Sequence, residues 1–211
     1  MMAPPRIKIC GLTRRDDVDA AVEAGAWAVG CVLWPGSPRA VTPAQAHRLM
    51  QDVPPRVKRV GVVVNASVDE AREWCDTAGL TTIQLHGDED AAPFLAAGLD
   101  VIKAVTLETD ADLERAAALP APVLVLVDAV DPVQRGGTGH SADWTRAAAL
   151  ATRRPILLAG GLRPDNIRDA LSTVAPWGVD VSSGVEASPG VKDAALISAL
   201  LRNAEFGVRG R

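Results

Sequence analysis

Cysteine is scarce in this sequence of 211 residues, and long apolar runs are missing from it. The three cysteines, Cys10, Cys31 and Cys75, are odd in number and far apart, which is evidence against a disulfide framework and against a metal-binding cysteine set. No apolar run approaches the roughly 18 residues that span a membrane. The segment 1–5 contains two prolines and no apolar signal core. These absences predict a cytoplasmic protein with no membrane partner.

Positive charge is also limited, and it is not concentrated in any part of the chain. Lysine and arginine number 22 against 26 aspartates and glutamates, for a formal net charge of −4. Scattered basic residues predict no nucleic-acid partner but leave room for a small anion site. The sequence has no glycine-rich dinucleotide motif, P-loop, HExxH motif or serine-centred nucleophile elbow. Because His47, His86 and His140 also lack the spacing of metal ligands, we predict no metal and no organic cofactor.

The sequence does contain a regular alternation of short β-rich runs and helical stretches. The predicted strands span 6–10, 28–33, 57–64, 82–85, 101–104, 123–128, 156–159 and 179–181. The predicted helices span 15–24, 42–51, 68–77, 90–97, 110–118, 143–151, 164–173 and 193–205. Thr42-Pro43 and the segment 67–70 are typical helix starts. The runs 57–64, 123–127 and 156–159 are apolar throughout, as parallel strands covered on both faces are.

Eight strand–helix units are compatible with a closed (β/α)₈ barrel or with an open doubly wound sheet. The units repeat evenly, at roughly 25 residues each, and no linker divides the chain. We therefore predict an α/β fold, a single (β/α)₈ TIM barrel of near-minimal size, as one domain over residues 1–211. In such barrels the chemistry lies at the carboxyl ends of the strands.

Two residues at predicted strand ends suggest acid–base chemistry. Cys10 ends the first strand beside Gly11, and Asp128 ends an apolar strand. Taken alone, such a cysteine is more often a core residue and such an aspartate is often a helix cap. Together they are placed to flank a small substrate, one taking a proton and the other giving one. Lys8 is either a source of positive charge for the thiol or an interior residue, and the loop 129–140 is a candidate cover.

The last two predicted strands end in small residues that are suited to phosphate. Gly160 and Gly161 follow one strand, and Ser183 and Gly184 follow the next. Backbone amides in these two turns can converge on one anion, although each turn alone is equally consistent with a glycine required for positive φ. Occurring after consecutive late strands, they predict a phosphorylated substrate. His86 also ends a strand, and we predict that it positions substrate.

Six motifs, in order and across nearly the whole chain, resemble those of the phosphoribosylanthranilate isomerase family. They are Lys8-Ile9-Cys10-Gly11-Leu12-Thr13, Gln84-Leu85-His86-Gly87, Leu126-Val127-Asp128, Gly136-Gly137-Thr138-Gly139, Ala159-Gly160-Gly161-Leu162 and Asp180-Val181-Ser182-Ser183-Gly184-Val185-Glu186. The resemblance implies a cofactor-free Amadori rearrangement of N-(5-phosphoribosyl)anthranilate to 1-(2-carboxyphenylamino)-1-deoxyribulose 5-phosphate in tryptophan biosynthesis. It also implies a monomer or homodimer.

The same resemblance implies a role for each candidate residue. Asp128 corresponds to the general acid and Cys10 to the general base. Arg39 corresponds to the group that binds the anthranilate carboxylate, and Asp180 to an acid near the ribose hydroxyls. The chain departs from the family in lacking the usual aromatics of the second and third strands. Two alternatives stay open: another phosphate-binding barrel enzyme, such as a synthase or lyase, and a barrel that binds phosphosugar without turnover.

Overall fold

The computed structural model describes residues 5–128 and 142–208, in which eight parallel strands close into a barrel. The strands are β1 Arg6–Ile9, β2 Ala28–Val32, β3 Lys58–Val63, β4 Thr82–Leu85, β5 Val101–Val105, β6 Leu124–Asp128, β7 Ile156–Ala159 and β8 Gly178–Val181. Each strand pairs with the next along the chain, and β8 pairs with β1. The predicted (β/α)₈ barrel is therefore confirmed, while its extent as a single domain over 1–211 stays a prediction.

A helix follows each barrel strand, and the last of them comes after an inserted hairpin. The helices are α1 Arg15–Glu23, α2 Pro43–Met50, α3 Val68–Ala78, α4 Ala91–Ala96, α5 Asp110–Ala117, α6 Ala142–Ala151, α7 Ile167–Val174 and α8 Ala194–Val208. Thr42 and Ser67 form the capping boxes that start α2 and α3. Between β8 and α8 lie a 3₁₀ turn, Ser183–Val185, and a short hairpin of β9 Glu186–Ser188 and β10 Val191–Lys192, which the sequence did not predict. None of the helices within the described ranges is long and apolar enough to cross a membrane.

The strands are apolar on both faces because both faces are buried. A small cluster fills the barrel interior, and a much larger one lies between the strands and the surrounding helices. The interior cluster consists of Ala28, Val60, Ile102, Leu126, Leu157 and Ala159. Toward the carboxyl ends of the strands the interior becomes polar, with Lys8, Gln84 and Asp180 all buried there.

Two tryptophans close the opposite end of the barrel, where the strands begin. Trp27 and Trp177 immediately precede β2 and β8 and meet edge to face, with ring centroids 5.1 Å apart. The guanidinium carbon of Arg6 lies 4.2 Å from the centroid of the Trp177 ring. Edge-to-face and cation–π contacts of this kind add to the burial of apolar area, so these three side chains act as the floor of the barrel.

Replacing Trp177 by alanine is expected to lower the free energy of unfolding by about 3 kcal/mol, because it removes one of the two indole rings of this floor and leaves a cavity. Urea denaturation followed by circular dichroism measures the loss. Trp177→Phe keeps an aromatic ring against Trp27 and is expected to lose clearly less. Equal stability of the alanine variant and the parent protein would contradict a structural role for the floor.

Candidate functional site

One cavity of about 440 Å³ lies at the carboxyl ends of the strands, a volume typical of small-ligand sites. It is lined by residues from seven of the eight barrel strands or the turns that follow them, all except β5. All nine site residues predicted from the sequence are among them: Cys10, Arg39, His86, Asp128, Gly160, Gly161, Asp180, Ser183 and Gly184. The structure therefore brings together residues that lie up to 174 positions apart in the chain.

Cys10 directly follows β1 and is held against the neighbouring strand β8. Its backbone N–H donates to the carbonyl of Val181 over 2.9 Å, and its side chain is buried. Below it, Lys8 is fully buried, with Nζ 2.9 Å from Oδ1 of Asp180. A β-carbon on Gly30 of β2 would lie 3.2 Å from Sγ of Cys10 and 3.1 Å from Cε of Lys8. Gly30, which the sequence analysis missed, thus leaves space for both side chains.

The surroundings of Cys10 shift the pKa of its thiol in opposite directions. Burial raises the pKa of Cys10, the ammonium of Lys8 lowers it, and the carboxylate of Asp180 raises it again. Burial by itself would lower the pKa of Lys8, but Asp180 and Cys10 reverse this and raise the pKa to about 12. Lys8 is therefore a cation at neutral pH, so it is both an interior residue and a source of positive charge beside the thiol.

Asp128 is the last residue of β6 and its side chain is half-exposed to the cavity. Partial burial raises the pKa of this carboxyl, His86 lowers it, and Asp180 raises it. Nε2 of His86 lies 3.9 Å from Oδ2 of Asp128. An upward pKa shift favours the protonated carboxyl, which is the form that can give a proton to a substrate.

Arg39 has a partner that the sequence did not reveal. Its Nε and Nη2 donate to the two carboxylate oxygens of Glu186 over 2.7 and 2.6 Å. Nζ of the buried Lys192 lies 2.8 Å from Oε1 of the same carboxylate. Burial tends to raise the pKa of Glu186, but hydrogen bonds from Arg39 and Lys192 lower it to about 2. The group of Arg39, Lys192 and Glu186 carries two positive charges and one negative charge, and Arg39 is its member that lines the cavity.

A glycine fixes the place of Arg39 as well. Gly11 has φ +72°, and a β-carbon there would lie 2.6 Å from Cδ of Arg39 and 2.8 Å from Oγ of Ser182. A larger residue at position 11 would push the arginine away from the cavity. The glycine after Cys10 therefore serves the arginine on the neighbouring loop.

The two predicted phosphate turns lie in contact with each other. Gly160 and Gly161 follow β7 with φ of +90° and +61°, so each needs the freedom of glycine. Gly184 follows β8, and a β-carbon there would lie 1.8 Å from the carbonyl oxygen of Leu162. Close approach of the two turns, rather than positive φ, is what requires glycine at position 184.

Two further predictions concern a cover over the cavity and a metal site. The candidate cover, 129–140, and His140 within it lie outside the described residues. Among residues 5–128 and 142–208, no group of three or more histidine, cysteine, aspartate or glutamate side chains is arranged to hold a metal ion.

Comparison with known proteins identifies relatives over almost the whole chain. Residues 7–203 match the family model described as N-(5'-phosphoribosyl)anthranilate (PRA) isomerase. The chain is 43% identical over 202 residues to the N-(5'-phosphoribosyl)anthranilate isomerase of Pelobacter propionicus, covering 95% of each protein.

Solved structures give the same result. The phosphoribosyl anthranilate isomerase of Thermotoga maritima superimposes with a TM-score of 0.86 at 40% identity, over 96% of this chain and 99% of that one. A second solved phosphoribosyl anthranilate isomerase holds reduced 1-(o-carboxyphenylamino)-1-deoxyribulose 5-phosphate. It superimposes with a TM-score of 0.84 at 38% identity, again over 96% of this chain and 99% of that one.

Proposed function

The chain belongs to the phosphoribosylanthranilate isomerase family, the isomerases of tryptophan biosynthesis, and we propose that it uses Asp128 as general acid and Cys10 as general base. The substrate would be N-(5-phosphoribosyl)anthranilate and the product 1-(2-carboxyphenylamino)-1-deoxyribulose 5-phosphate. The observation that carries the proposal is the presence of a thiol beside a lysine and a carboxyl with a raised pKa in one cavity.

The first step opens the sugar ring. The carboxyl of Asp128 gives its proton to the ring oxygen, and the bond between that oxygen and C1 breaks. The nitrogen lone pair forms the C1=N bond, which leaves a protonated Schiff base and the carboxylate of Asp128. The upward pKa shift of Asp128 supports this role, because it enlarges the protonated fraction.

The second step moves the double bond along the open chain. The thiolate of Cys10 takes the proton from C2, the C–H electron pair forms C1=C2, and the C1=N pair returns to nitrogen. The resulting enolamine becomes the ketone when its C2 hydroxyl loses a proton and C1 gains one. One proton then returns through solvent from the Cys10 thiol to the Asp128 carboxylate. This transfer restores the thiolate of Cys10 and the protonated carboxyl of Asp128.

Substrate binding is assigned to the remaining residues of the cavity. The net positive charge of Arg39, Lys192 and Glu186 would attract the anthranilate carboxylate, for which Arg39 retains unpaired donors of its guanidinium fork. The turns at 160–161 and 183–184 would hold the phosphate, and Asp180 and His86 would face the sugar. A monomer or homodimer in the cytoplasm stays a prediction.

The direct test mixes the purified protein with freshly generated phosphoribosylanthranilate and follows the loss of its anthranilate-type fluorescence. We expect an enzyme-dependent rate well above the spontaneous background. A rate equal to the background would reject the proposed reaction. Binding of the reduced product without turnover would instead support the alternative of a phosphosugar-binding barrel.

Lys8→Met is expected to shift the ionisation of Cys10 to higher pH. The substitution removes the cation that lowers the pKa of Cys10 and leaves Asp180, which raises it. A smaller thiolate fraction at neutral pH then slows both turnover and alkylation by iodoacetamide. The rate of alkylation against pH measures the shift, with Cys10→Ser as the blank for the other two cysteines.

A control separates charge from folding in this experiment. Lys8→Met leaves the carboxylate of Asp180 buried without its partner, which is destabilising in itself. The double variant Lys8→Met/Asp180→Asn removes both charges and is expected to recover stability and to return the alkylation profile toward lower pH. An alkylation profile that stays unchanged in a folded Lys8→Met protein would show that Lys8 does not tune the thiol.

A further inference from the structure

Gln84 is a buried polar side chain to which the mechanism above gives no task. It lies on β4, between Val62 of β3 and Ile102 of β5 in register, and only 1% of it is exposed. It lines the same cavity as Cys10 and Asp128. Burying an amide between two apolar neighbours costs free energy unless both of its ends find partners.

The nitrogen and the oxygen of this amide differ in their hydrogen bonding. Nε2 lies 3.2 Å from Nδ1 of His86, whereas Oε1 is buried and has no hydrogen-bond partner among the described residues. An amide nitrogen can only donate, so Nδ1 of His86 accepts, and the neutral imidazole carries its proton on Nε2. That nitrogen is the one that lies 3.9 Å from Oδ2 of Asp128.

We propose that Gln84 is a positioning residue with two functions: it fixes the Nε2-protonated tautomer of His86 toward Asp128, and its Oε1 accepts a hydrogen bond from a hydroxyl of the substrate's pentose. The proposal rests on the reaction proposed above. When Asp128 has given up its proton, an N–H facing the new carboxylate stabilises it, whereas a nitrogen lone pair there would repel it. A buried acceptor at a cavity wall needs a donor, and a pentose supplies several.

The tautomer can be observed without any turnover. In ¹⁵N-labelled protein, long-range ¹H–¹⁵N spectra distinguish the two neutral forms of histidine, and His86→Asn identifies the signals of His86. We expect the proton on Nε2 in the parent protein and a mixture of tautomers in Gln84→Met. A parent protein with the proton on Nδ1 would mean that the amide is reversed, and it would overturn the proposal even if the isomerase activity is confirmed.

Kinetics test the contact with the pentose. Gln84→Met has nearly the same shape but neither polar end, and we expect its KM for phosphoribosylanthranilate to rise about 10-fold and its kcat to fall. Gln84→Glu keeps an acceptor oxygen but, when ionised, cannot donate to His86. We expect it to lose kcat as Gln84→Met does while its KM stays closer to that of the parent protein.

Two controls keep this test independent of folding and of surface effects. Gln51→Met changes an exposed glutamine beyond α2 and is expected to leave both constants unchanged. Gln84→Met removes a buried oxygen without a partner, so its melting temperature is expected to match or exceed that of the parent protein. A Gln84→Met protein with unchanged KM and kcat, or one whose losses follow a lowered melting temperature, would show that Gln84 is a structural residue only.

Discussion

Cys10→Ser is expected to lower turnover by about 10²- to 10⁴-fold, the loss that usually follows removal of a general base. Serine fits the space that Gly30 provides, so the cavity keeps its shape. Its hydroxyl, however, ionises far less readily than a thiol, and the cation of Lys8 cannot make it a base at neutral pH. The fluorescence assay for phosphoribosylanthranilate measures the change.

Cys75→Ser is the matched control for this substitution. Cys75 is a buried cysteine of α3 and does not line the cavity, so the same change of atom there is expected to leave turnover nearly intact. Comparable losses in both variants would point to a general effect on folding. A normal rate in Cys10→Ser would show that another group takes the proton from C2.

Asp128→Asn is expected to cause a loss of similar size, about 10²- to 10⁴-fold, for a different reason. The amide has almost the same shape but carries no acidic proton, so the ring oxygen would have to leave unprotonated. Because ring opening comes first, the Schiff base on which Cys10 acts is formed only at this reduced rate. Single-turnover measurements should therefore show no build-up of any open-chain species.

The control for Asp128→Asn is Asp88→Asn, on the exposed turn after β4. It removes one negative charge from the same end of the barrel, outside the cavity that holds Cys10. Turnover close to that of the parent protein is expected. If Asp128→Asn also turned over normally, the acid would have to be sought among other groups, beginning with His86.

The barrel could be predicted because its signals are local. The apolar runs 123–127 and 156–159 and the capping residues Thr42 and Ser67 act within a few positions of the chain, and each led to an element that the structure contains. The β9–β10 hairpin could not be predicted in this way. Its strands are only three and two residues long, too short for an alternating pattern to be visible.

The candidate site could be predicted only in part, for the same reason. Cys10, Asp128 and the glycine turns lie at strand ends, which the barrel brings together, so their positions follow from the fold. The ion pair of Arg39 with Glu186 joins residues 147 positions apart, so no local sequence pattern predicts it. The space at Gly30 depends on β1 beside β2, and the surroundings of the Gln84 oxygen depend on β3 and β5 beside β4, so neither could be predicted from a local pattern.

The buried thiol has a consequence for how catalysis begins. A thiol ordinarily ionises at far higher pH than a carboxyl, and burial moves both Cys10 and Asp128 upward. Between the two pKa values the resting protein thus carries its proton on sulfur and its charge on Asp128, the arrangement left behind by a completed turnover. Catalysis starts from the minor protonation state, in which Cys10 is a thiolate and Asp128 is a protonated carboxylic acid. In a bell-shaped rate profile the acidic limb then reports Asp128 and the alkaline limb Cys10, the reverse of the usual assignment.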